Sequence, residues 1–108
     1  MKRGDLITVA ASGDYGKPRP ALVIQSDFLN KTDSVLVCLF TTALRDASLY
    51  RISLPPGEAI GLRQPSQMMV DKIMAVRRER CGPPVGRADG ASLLALGRLL
   101  AFVVGVAD

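Results

Sequence analysis

The tetrapeptide Lys17-Pro18-Arg19-Pro20 carries the residue best prepared for chemistry. Proline fixes its own φ, and Pro20 biases Arg19 towards extended backbone. Two prolines therefore hold Arg19 nearly rigid at the mouth of a strand. Just before it stands the breaker-rich stretch Ser12-Gly13-Asp14-Tyr15-Gly16. A guanidinium held this way can clamp a phosphate through paired N–H donors. It can equally close a strand end by donating to carbonyls, and the residues alone leave both roles open.

Thr41-Thr42 ends the apolar run Val35-Leu36-Val37-Cys38-Leu39-Phe40. Two hydroxyls at a strand mouth can donate to a phosphate oxygen. Taken alone, the pair reads more simply as two β-branched residues finishing a strand. Asp71 lies inside Met68-Met69-Val70-Asp71-Lys72-Ile73-Met74. A carboxylate in an apolar strand needs a partner, because an unpaired buried charge is costly. An ion pair with Lys72 or a cross-strand arginine is expected, with a site carboxylate as the other possibility. Arg77-Arg78-Glu79-Arg80 is a solvated basic face or a contact for phosphates or an acidic protein.

Composition narrows the chemistry. The 108 residues contain no histidine, which removes the commonest general base near neutral pH. Ser-His-Asp triads, Cys-His pairs and most zinc sites go with it. Neither a metal site nor a cofactor is expected. Fourteen Lys+Arg against ten Asp+Glu give a net charge of +4. That modest excess suits a polyanionic partner, though ordinary solubility explains it as well. Cys38 reads as a small core residue, and Cys81 falls in a Gly/Pro-rich loop, so no disulfide framework is expected. The start, Met1-Lys2-Arg3-Gly4-Asp5, is not a signal peptide, and a cytoplasmic location is expected.

These residues need elements to position them. Short β-prone runs occupy 6–10, 20–25, 35–42, 49–54 and 67–76, with a further short strand near 85–87. The run at 35–42 is apolar on both faces, as a central covered strand would be. Residues 26–34 are polar, with room for one helical turn, and 11–18 and 55–65 are loops. Residues 91–106 form a helix capped by Asp89 or Ser92, too short and too charged (Arg98) to span a membrane. One domain, 1–108, is expected, mainly β, as an antiparallel barrel or curved sheet with a C-terminal helix.

In order along the chain, these segments resemble the MazF/PemK family of toxins. Arg3-Gly4-Asp5-Leu6 resembles the family's first strand, and Gly16-Lys17-Pro18-Arg19-Pro20-Ala21-Leu22-Val23 its "G-x-x-RP" second strand. Leu39-Phe40-Thr41-Thr42 sits where the family carries a threonine. Pro65-Ser66-Gln67-Met68-Met69-Val70-Asp71-Lys72-Ile73 resembles its acidic strand, and Val85-Gly86-Arg87 before a leucine-rich helix resembles its ending. The resemblance implies an SH3-like antiparallel barrel of the CcdB/MazF type, assembled as a homodimer. It implies metal-independent, sequence-selective cleavage of single-stranded RNA and a cognate antitoxin with an acidic disordered tail. Arg19, Thr41 and Asp71 would be catalytic, and Tyr15, Lys17, Thr42, Arg45, Arg51 and Arg77 would bind RNA. Met69 stands where some members carry an arginine, so Arg19 would do both jobs, or Lys17, Arg45 or Arg51 would substitute as proton donor. The alternative is a CcdB-like gyrase poison, which binds without catalysis. Another is a barrel that binds RNA or protein without cutting.

Overall fold

The structure, a computed structural model, describes residues 1–10 and 17–107. Six strands make one antiparallel sheet: β1 (Asp5–Val9), β2 (Arg19–Val23), β3 (Ser34–Thr41), β4 (Arg51–Leu54), β5 (Ser66–Arg77) and β6 (Gly86–Arg87). Their spatial order is β4-β5-β3-β2-β1-β6. One helix, α1 (Gly90–Val103), ends the chain, and a 3-10 turn at Arg78–Arg80 follows β5. This is the mainly β architecture with a C-terminal helix that the sequence predicts.

The sheet curls because β5 hands the chain back to β1. The Arg78 N–H still bonds the Asp33 carbonyl, yet Cys81 already bridges Val9. Residues 81–87 then run antiparallel along β1, and the Gly82 and Val85 N–H groups donate to Thr8 and Leu6. Thus β1 is covered on both edges.

Both faces of the sheet are dry. One core joins Leu6, Leu22, Cys38, Phe40, Met68 and Val70 to Leu96 of α1. The other joins Ile7, Val9, Ala21, Val23, Val35, Val37 and Val76 inside the curl. Period-2 alternation sends Leu6 to one core and Ile7 to the other. This explains why the strands read as continuous apolar runs. Burying each such Leu or Ile contributes about 1.5–3 kcal/mol.

Local chemistry sets the boundaries. The Asp89 carboxylate accepts from the Ser92 N–H at 2.7 Å, so Asp89 is the cap and Ser92 its donor. The helix stops at Val103, short of the expected Val106. Gly105 there takes φ +81°, and the Val106 N–H bonds back to the Ala101 carbonyl at 2.8 Å. The fourth strand starts at Arg51 rather than 49, because the Tyr50 and Arg51 N–H groups both turn onto the Ala47 carbonyl. Residues 26–34 hold a Ser26–Leu29 turn and no helix. No helix among the described residues is long and apolar enough to cross a membrane.

Candidate active site

β1 and β2 pair Val9 with Arg19, so Arg19 opens β2 at the end where β1 finishes. β2 and β3 pair Ala21 with Leu39, Leu22 with Cys38 and Val23 with Val37. The pairing stops at Ala21 and Leu39, two residues short of Arg19 and Thr41, so both stand at the same end of neighbouring strands, on one rim of the sheet. Lys17 is exposed two residues before Arg19. The Thr41 hydroxyl accepts from the Ala43 N–H at 3.1 Å, which leaves its own proton to donate. Tyr15, expected to touch RNA, lies outside the described residues.

The 42–50 loop rises from this rim and is tied down from below. Gln67, opposite Thr41 on β5, is buried. Its Oε1 accepts from the Arg45 N–H at 3.0 Å and from Arg51 Nη1 at 2.9 Å. Its Nε2 donates to the Arg45 carbonyl at 2.8 Å and to Ser53 Oγ at 3.1 Å. Arg51 Nη1 also donates to the Ala43 carbonyl at 2.9 Å. Thr42 and the Arg45 side chain stay exposed.

Arg51, expected to contact RNA or to substitute as proton donor, is turned inward instead. It is only 8 % exposed, and pairing with Met69 directs its guanidinium beneath the loop. Gln67 is the residue that sequence reasoning missed. Its signal was a lone amide in an otherwise apolar strand.

Asp71 sits in a wide bulge. Cys38 pairs with Ile73 and Phe40 with Met68, so four residues of β5 face Leu39 alone. The bulge turns Asp71 and Lys72 outward, and both are exposed. The expected ion pair does not form: among the described residues no salt bridge or hydrogen bond engages Asp71. The carboxylate does lie close enough to act on Cys38. Burial first, then the Asp71 charge, pushes that thiol up to about 12, so Cys38 is no nucleophile.

Arg77 lies at the far end of the sheet from Thr41. It pairs with Ser34, seven residues down β3 from Thr41, or roughly 23 Å at the usual strand rise. There it meets Glu79 at 3.5 Å. Arg80 comes nearer the rim instead, because its carbonyl accepts from the Ala10 N–H at 3.0 Å. No group of three or more His, Cys, Asp or Glu among the described residues could hold a metal ion.

This geometry can grip a phosphate with Arg19 and a hydroxyl, beside a loop that is held from within. The profile of the family described as "PemK-like, MazF-like toxin of type II toxin-antitoxin system" matches residues 2–104. A "Probable endoribonuclease MazF" from Mycolicibacterium smegmatis is 44 % identical over 108 residues, covering 99 % of each chain. The chain belongs to this family of toxins of type II toxin–antitoxin systems. The family match favours this class over the CcdB-like alternative. Among solved structures, an endoribonuclease in complex with its cognate antitoxin, from a Mycobacterial species, superposes with TM-score 0.82 at 18 % identity. That match covers 98 % of this chain and 96 % of the other. The Mycobacterium tuberculosis toxin MazF-mt6 superposes with TM-score 0.78 at 19 % identity, covering 94 % and 97 %. Both structures bear on the fold.

Proposed function

We propose that this toxin is a metal-independent endoribonuclease that cuts single-stranded RNA at chosen sequences. The observation that supports the reading is that Arg19 and Thr41 stand at the same end of neighbouring strands β2 and β3. The 44 % identical relative, named for the same activity, supports it.

RNA brings its own nucleophile, the 2′-hydroxyl. Its oxygen attacks the adjacent phosphorus, the bond to the 5′-oxygen breaks, and a 2′,3′-cyclic phosphate and a 5′-hydroxyl result. The protein must hold the phosphate, offset the growing negative charge and move two protons. Arg19 binds the non-bridging oxygens and stabilises the transition state. Thr41 donates its hydroxyl proton to one of them. Asp71, exposed on β5, takes the 2′-proton. Met69 offers no proton to the leaving oxygen, so Arg19 or Lys17 supplies it. Thr42, Arg45 and Arg80 contact the flanking chain. A homodimer joins two such rims, and an antitoxin with an acidic tail covers them by charge complementarity.

The test is incubation of purified protein with single-stranded RNA in EDTA, beside Arg19→Ala and an RNA with 2′-deoxy sugars. Wild type cuts only the ribose substrate, and Arg19→Ala does not cut. Equal cutting by both proteins, or none by either at high concentration, sinks the site.

A further inference from the structure

We infer that Gln67 is a positioning residue for sequence choice: by fixing the 42–50 loop it presents the Arg45 side chain to a base edge beside the cut. The inference rests on the reading of the rim as the cleavage site.

Gln67 holds the Arg45 backbone on both sides, through its N–H and its carbonyl, at 3.0 and 2.8 Å. The Cα between them cannot drift, while the guanidinium beyond it stays exposed. A pinned backbone under an exposed arginine is what base readout requires, because paired N–H donors discriminate only when their position is fixed. All four hydrogen-bonding positions of the amide are filled, so no alternative rotamer does as well.

Arg51 reinforces the hold at Ala43, nearer Thr41. Its Nε is buried without a hydrogen-bond partner. An orphaned buried donor costs stability. Arg51 also lines the gap between β4 and α1, with Ser48, Ile52, Ala95, Arg98 and Leu99. The arrangement sacrifices stability to hold the loop, as functional sites commonly do.

The experiment digests a randomised single-stranded RNA pool with wild type, Gln67→Leu, Arg45→Ala and Arg19→Ala, then sequences the new ends. Base preference is a ratio within one digestion, so it does not depend on how much protein is folded. Gln67→Leu and Arg45→Ala should flatten the preference at the same position by roughly tenfold, the scale of one lost base contact. Arg19→Ala should abolish cutting. If Gln67→Leu cuts less but keeps the wild-type preference, Gln67 is merely structural and the inference falls, while the site stands. If Arg19→Ala still cuts, the site reading itself falls. Should Gln67→Leu not fold, Gln67→Glu, which removes the Nε2 donor, and Ser53→Ala, which removes one of its acceptors, carry the same readout.

Discussion

Gln67 grips Arg45 at two backbone atoms, accepting from its N–H and donating to its carbonyl across 22 residues of chain. A strand residue that would otherwise be one more apolar side chain is thereby the anchor of a polar loop. Its removal leaves the Arg45 amide and Arg51 short of partners. Gln67→Leu should lose about 2 kcal/mol of stability, read by urea denaturation, with no change in sheet content.

Arg19 begins its strand at an exposed end and fills no core position. Arg19→Ala should take cleavage below detection, a loss of at least about 10²–10³, and leave the protein folded. Arg19→Lys should recover only part of the rate, since an ammonium cannot make the paired contact. Full recovery would show that charge alone is needed.

The Cys38 thiol is held up to about 12, against an ordinary value of 9.0. Between those two pH values the unfolded chain has lost its proton while the folded chain keeps it. Stability therefore falls as pH rises through this window, by up to about 1.4 kcal/mol per unit. Denaturation at pH 8 and pH 10 should show a steeper loss for wild type than for Cys38→Ala.

Asp5 is mostly buried and joins Arg87 at 2.9 Å, 82 residues away, while also accepting from the Lys2 N–H at 2.7 Å. Arg87→Ala should cost about 1–3 kcal/mol, because it leaves a shielded carboxylate short of a donor. High salt should narrow the gap between the two proteins, since half of the Arg87 side chain is in solvent.

Gly86 admits no side chain: a Cβ there would lie 1.9 Å from the Ile60 carbonyl oxygen. Backbone must move to accept it. Gly86→Ala should destabilise by about 3 kcal/mol or more, seen as a lower urea midpoint.

Much of this was legible from residue order. The apolar runs gave β1, β2, β3 and β5, and Arg19 between two prolines gave the strand mouth. What escaped notice depends on partners distant in sequence. Arg51 and Arg77 look like any other exposed arginine until pairing with Met69 buries one and pairing with Ser34 carries the other away. Asp71 seemed to need an ion pair because a strand was assumed regular there. The bulge that turns it to solvent leaves no mark on the period of its neighbours. Gln67 was passed over because one amide in a strand says nothing about which backbone it will bind.

β1 is completed by residues more than seventy positions further along the chain: Cys81 to Arg87 line its second edge, and Gly4 sits against Leu93 of the helix. A growing chain has the arginine and the threonine long before it has the segment that braces their rim. Such late closure is slow to form, because contacts between chain ends must await the whole chain.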